Sequence, residues 1–172
     1  MEYVVLVDEQ DNAIGTMEKQ QAHVEGVLHR AFSIFIFNSD KKLLLQKRAS
    51  TKYHCGGLWT NTCCSHPRET ENITDAANRR LLEEMGMQCE LKPIFSFLYK
   101  AEFDNGLTEH EFDHVFFGQS NQVPELNLEE VEDFRYIGLD DLQLEIKEAP
   151  QNFTPWFLIA LDRVTEYNSK QS

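Results

Sequence analysis

The sequence predicts an α+β domain, a central mixed β-sheet sandwiched between helices, and three observations carry that expectation. Short apolar or alternating runs recur between turn residues, one well-capped periodic helix interrupts them, and two further helical stretches fall in the last third of the chain. Taken in order, Y-V-V-L-V, A-F-S-I-F-I-F, L-L-L-Q, L-W-T-N-T-C-C, I-F-S-F-L-Y and F-D-H-V-F-F read as strands, separated by turns such as N-S-D-K and D-N-G. Residues 73–85 read as a helix, with Asn72 able to cap, Asp75 in the first turn and Gly86 at the end. A second helix is expected from Leu139 to Glu148. A third begins at Thr154-Pro155, with Thr as cap and Pro at the first helical position. No repeat or long linker divides the chain, so one domain over residues 1–172 is expected, with 168–172 as a frayed tail.

Composition narrows the function. Sixteen Lys and Arg against 29 Asp and Glu give a net charge of −13, which repels nucleic acid and anionic lipid at long range. An anionic ligand must therefore be captured locally, and K-K-L-L-L-Q-K-R-A-S-T-K supplies a basic cluster that includes Arg48 and Lys52. The middle apolar run I-F-I-F is far short of the ~20 residues a membrane helix needs. A chain of this length buries roughly 70% of its unfolded surface without staples, so Cys55, Cys63, Cys64 and Cys89 are not needed for stability. Their spacing fits no secreted disulfide framework, and the expectation is a cytoplasmic protein with reduced thiols.

Three segments concentrate polar chemistry. In T-E-H-E-F-D-H, strand periodicity puts Glu109 and Glu111 on one face, a repulsive pair unless positive charge lies between them. An acid-decorated strand edge is the plain alternative. His23 and His29 fall in A-H-V-E-G-V-L-H-R, where a loop can turn both imidazoles inward, and His66 follows W-T-N-T-C-C-S. Three imidazoles and two carboxylates suit a six-coordinate divalent ion better than a closed tetrahedral zinc site. Taken singly, each histidine reads as unrelated to the others. Period 2 also sends Cys64 and His66 to one face and Cys63 to the other, so one thiol joins the histidine while its neighbour packs.

Ser65, Glu71, Arg79, Arg80, Leu81, Glu83, Glu84, Gly86 and Met87 carry the spacing of the Nudix box, a loop and helix that bind diphosphate through a divalent metal. Ser65 replaces its leading Gly, and Arg80 replaces a Glu that Nudix hydrolases use among their metal ligands. The second change counts against pyrophosphohydrolysis. Together with W-T-N-T-C-C-S-H-P, the E-H-E strand, the A-H-x5-H pair and the late P-W, this box resembles the type I isopentenyl diphosphate isomerases, over nearly the whole chain. One departure is C-G-G-L-W, where relatives have a proline before the first shared glycine.

The resemblance implies a Nudix-like fold and interconversion of isopentenyl and dimethylallyl diphosphates. It implies Cys64 and Glu111 as catalytic residues, Tyr99 assisting Glu111, and Trp156 facing the hydrocarbon. His23, His29, His66, Glu109 and Glu111 match a metal set for Mn2+, Zn2+ or Mg2+, and Glu84 matches a residue holding Mg2+ with the diphosphate. Lys19, Arg48, Lys52 and Arg80 match phosphate-contacting residues. For the dimethylallyl direction Glu111 is expected as acid and Cys64 as base, with a carbocation between them. A small isoprenoid diphosphate is then the one expected partner, without nucleic acid or membrane, on a monomer or at most a dimer. A Nudix hydrolase acting on a nucleotide diphosphate, and a binding module with a structural metal, are the rival readings.

Overall fold

The computed structural model describes residues 1–52 and 54–171. Two short strands, β1 (Tyr3–Val7) and β2 (Ala13–Glu18), form an antiparallel pair and lead into helix α1 (Lys19–Glu25). Strands β3 (His29–Phe37), β4 (Leu43–Arg48), β5 (Trp59–Thr60) and β6 (Cys63–Ser65) follow, then helix α2 (Ile73–Met85). The hairpin β7 (Leu91–Glu102) and β8 (Thr108–Gln119), strand β9 (Val131–Ile137), and helices α3 (Leu139–Glu148) and α4 (Pro155–Ser169) complete the chain.

Strand β3 organises the sheet. One edge pairs in parallel with β8 along its whole length, from His29 opposite Glu111 to Phe37 opposite Gln119. Its other edge is shared in turn by β1 at His29, β6 at Phe32 to Ile34, and β4 at Phe37 alone. Beyond that point β3 and β4 splay, and residues 59–65 fill the fork, with β5 on β4 and β6 on β3. The single strand expected over W-T-N-T-C-C is therefore broken. Side chains of the crossing residues take over the ladder. Thr62 Oγ1 accepts the Ile36 N–H at 3.0 Å and donates to the Leu44 carbonyl at 2.7 Å. Asn61 Nδ2 donates to the carbonyls of Ile34 and Cys63.

Both faces of the sheet are covered, which is why β3 reads as a continuous apolar run. Phe32, Ile34, Ile36 and Leu44 pack with Cys63 and with Ala76, Ala77, Leu81 and Met85 of α2. Phe35, Phe37, Leu43 and Leu45 pack on the other face with Leu142 of α3 and with Trp156, Phe157 and Leu161 of α4. The helix boundaries at 73–85 and 139–148 agree with the expected ones. Three features do not. His23 lies on a helix rather than a loop, because Glu18 caps Gln21 N–H and Gly26 closes the turn. The tail expected to fray from 168 continues α4 through Ser169, with Asn168 buried. Strands β2 and β9 are additional to the expected ones: β2 is largely exposed and β9 carries three charged residues among its apolar ones, so both give a weak signal.

Gly86 ends α2 at φ 62°, and a Cβ there would lie 2.7 Å from Glu125 Cβ and 2.8 Å from its carbonyl oxygen. Gly86→Ala therefore combines left-handed strain with a backbone clash. It is expected to destabilise the fold by about 2 kcal/mol or more in thermal or urea denaturation.

Candidate active site and metal centre

The fork in the sheet sets the site. The β3–β8 register brings His29 beside Glu111, and the β7–β8 register puts Tyr99 opposite Glu111 and Ala101 opposite Glu109. Helix α1 delivers His23 and the end of β6 delivers His66. Candidate ligand atoms of His23, His29, His66 and Glu111 all lie within 4.8 Å of one another. His66 Nε2 is 2.9 Å and His29 Nε2 is 3.4 Å from the same Glu111 oxygen. Backbone carbonyls orient the rings: His23 Nδ1 donates to Lys19 O at 2.7 Å and His29 Nδ1 to Val27 O at 2.9 Å, which aims both Nε2 atoms inward. Oriented imidazoles around two buried carboxylates fit a divalent cation of the transition series.

A narrow cavity of about 40 Å3 opens beside this cluster. Cys64, Trp156, Arg48, Phe32, His66, Glu109 and Glu111 line it. Lys19, Lys52 and Arg80 also line it. Cys64 and His66 thus share a face as strand periodicity requires, while Cys63 turns away to place its Sγ 3.4 Å from Glu84. Tyr99 is buried next to this cavity, its hydroxyl without a hydrogen-bond partner and its ring edge-on to Trp156. Glu84 stands apart from the histidine cluster. It is held by Gln46 Nε2, the Cys63 thiol and Arg80 Nη2 at 3.0 Å.

The basic residues already have carboxylate partners. Lys19 pairs with Glu2 at 3.0 Å, Lys52 with Glu130, and Arg80 with Glu83, Glu84 and Glu130. Arg48 lies deeper, its Nη1 3.8 Å from Cys64 Sγ and its guanidinium carbon 5.4 Å from the Trp156 ring centroid.

Burial sets the protonation states. It pushes the Cys64 thiol well up, against the pull of Arg48, so the sulfur is protonated at neutral pH. Burial also raises Glu111, but hydrogen bonding and charge from His29 outweigh it and hold the carboxyl below its usual value. Burial, helped by neighbouring His29, drives His66 well below the ordinary imidazole range, and it lowers His23 too. Both are neutral and ready to ligate.

A NUDIX domain matches residues 27–157. The chain is 52% identical over 166 residues to isopentenyl-diphosphate Delta-isomerase 2 of Aromatoleum aromaticum, covering 96% of this chain and 88% of that protein. It is 51% identical over 164 residues to isopentenyl-diphosphate Delta-isomerase of Pectobacterium atrosepticum, covering 95% and 92%. The chain belongs to the isopentenyl-diphosphate Delta-isomerase family. Among solved structures, the DR0079 protein of Deinococcus radiodurans superposes with a TM-score of 0.71 at 18% identity, over 86% of this chain and 90% of that one. The MutT protein of Methanosarcina mazei superposes at 0.63 and 15% identity, over 84% and 96%. Both likenesses show the NUDIX fold.

Several residues of this isomerase-family site are not singled out by sequence reasoning. Asn61 Oδ1 accepts from the Trp156 indole at 3.2 Å and from Thr60 Oγ1 at 2.8 Å, so one side chain spaces the fork and orients the tryptophan. Ser33 donates to buried Asp113 at 2.8 Å behind Glu111. His54 sits 2.6 Å from Glu109. Only Asn61 carries a hint, an amide inside an apolar run; the others need the sheet register or the loop path.

The buried Cys63 thiol and the partly buried Cys64 thiol give an alkaline signature. Cys63 and Cys64 are raised above 9.0 by burial, so their contribution to stability is complete below that value and is lost as pH rises through the folded-state pKa. Above pH 9 the folding free energy should fall by up to about 1.4 kcal/mol per pH unit for each thiol. Urea denaturation from pH 8 to 10 should show a shallower decline in Cys63→Ala than in the wild type.

Proposed function

We propose that the cavity interconverts isopentenyl and dimethylallyl diphosphates, with Cys64 and Glu111 as the two proton-handling groups. The observation that carries this reading is that both side chains line one cavity, with Trp156 and Arg48 beside the sulfur and basic residues along the wall. Curated relatives at about half identity, named as isomerases, support it over nucleotide pyrophosphohydrolysis. So does Arg80, which stands where Nudix hydrolases have a ligand carboxylate and neutralises Glu84 instead.

Shifting the double bond by one carbon needs a proton delivered to the terminal methylene and another removed from the carbon nearer the diphosphate. One group must hold a proton while the other does not. The site meets that condition, with thiol on Cys64 and carboxylate on Glu111. This partition is the starting state of the dimethylallyl-to-isopentenyl direction if Glu111 is the acid of the opposite one, and each turnover exchanges it. Tyr99 lies opposite Glu111 in the β7–β8 pairing, its hydroxyl makes no hydrogen bond among the described residues, and in this reading it turns to donate to that carboxylate during the reaction.

Trp156, fixed by Asn61, stabilises the intervening tertiary carbocation by about 2 kcal/mol. Enzymes need about 8 kcal/mol or more, so exclusion of water from the cavity and preset charge supply the larger share. Lys19, Lys52 and Arg80 exchange their carboxylate partners for the substrate diphosphate, while buried Arg48 offsets charge near Cys64. When bound, a divalent cation among His23, His29, His66, Glu109 and Glu111 supplies fixed positive charge that positions Glu111, and Mg2+ shared with Glu84 neutralises the diphosphate. Residues 1–172 act as one domain. The four cysteines are free, in keeping with a reducing compartment such as the cytoplasm.

Incubation with isopentenyl diphosphate and Mg2+ in heavy water should place deuterium in dimethylallyl diphosphate; phosphate release without isomer would overturn the reading. Cys64→Ala should lower kcat by about 10^3-fold or more while leaving the melting temperature nearly unchanged. A variant of near wild-type rate would remove Cys64 from the reaction.

A further inference from the structure

We propose that His54 is an additional ligand of the His/Glu centre, so that one divalent cation is held by four imidazoles and two carboxylates. The inference rests on reading that cluster as a metal centre and adds a donor from the loop between β4 and β5. His54 is buried at 8% exposure, and its Nε2 lies 2.6 Å from Glu109 Oε2. This approach repeats, across the cluster, the 2.9 Å approach of His66 Nε2 to Glu111. The His54 and His23 rings are 5.3 Å apart between centroids, against 5.1 Å for His23 and His29 and 5.0 Å for His29 and His66.

Two sets of potential ligands result: His23, His29, His66 and Glu111 in one, His23, His54 and Glu109 in the other, each with its ligand atoms within 4.8 Å of one another. They share His23. Its Nδ1 proton is committed to the Lys19 carbonyl at 2.7 Å, so Nε2 alone can ligate, and one lone pair serves one cation. A cation that uses both sets therefore lies between them, on the side of the His23 they share. Octahedral donors at about 2.1 Å from a metal lie roughly 3.0 Å apart in cis and 4.2 Å in trans, so the two sets, which do not form one group within 4.8 Å, draw together around the ion. Four imidazoles select a transition ion over Mg2+, and six protein donors leave no coordination position for substrate. The ion at this centre then acts by fixing Glu109 and Glu111, with the diphosphate left to the basic residues and to Glu84.

The test uses the full chain, stripped with a chelator and reloaded with Zn2+ or Co2+. Metal per chain comes from elemental analysis, affinity from competition with a chromogenic chelator, and the number of imidazole ligands from X-ray absorption at the metal edge. The expected result is one ion per chain with four imidazoles, falling to three in His54→Ala with about a 10- to 100-fold loss of affinity. The wild-type imidazole count decides even if the variant does not fold. A wild type with one ion and three imidazoles would overturn the proposal and leave His54 as a hydrogen-bond partner of Glu109. Two ions per chain would overturn the shared centre. A wild type that binds no ion stoichiometrically would instead remove the metal centre itself.

Discussion

The site depends on one electrostatic constraint, the burial of Glu109 and Glu111 on the same face of β8. Both are about 4% exposed, and a buried pair of like charges is sustainable only with compensating donors or cations. The imidazoles, Arg48 and the place for a metal follow from that demand. The same compensation sets the chemistry, since His29 holds Glu111 ionised while burial keeps Cys64 protonated. A proton and a vacancy for it thus coexist in one cavity.

Geometry for this chemistry comes from an imperfection in the sheet. Strands β3 and β4 pair only at Phe37 and Leu43, and the crossing segment 59–65 closes the gap with the side chains of Asn61 and Thr62. A regular hairpin there would have left no fork to hold Cys64 against the cavity. Asn61 couples the two roles, for it bonds the β3 backbone through its amide and receives the Trp156 indole through its oxygen.

A protein of net charge −13 still presents a basic surface to an anion, because Lys19, Lys52 and Arg80 converge on one cavity wall. Each is paired with carboxylates, notably Glu2 and Glu130. The Lys19–Glu2 pair, open to solvent at Glu2, is worth about 0–1 kcal/mol, so under the proposed function a diphosphate displaces it at small cost. Capture is local, as the overall charge demands.

Helices 73–85 and 139–148, the Glu109/Glu111 face and the division of labour between Cys63 and Cys64 were legible in the sequence, because caps, glycine stops and periods of 3.6 and 2 are local properties of the backbone. The roles of Cys64, Glu111, Tyr99 and Trp156 came instead from motif resemblance, since no local rule joins residues so far apart in the chain. The helical setting of His23, the broken strand at Asn61-Thr62 and the approach of His54 to Glu109 were decided by tertiary structure. Each depends on which strands are neighbours and where a loop returns, and those pairings follow from burying both faces of β3 at once rather than from any single segment's preference.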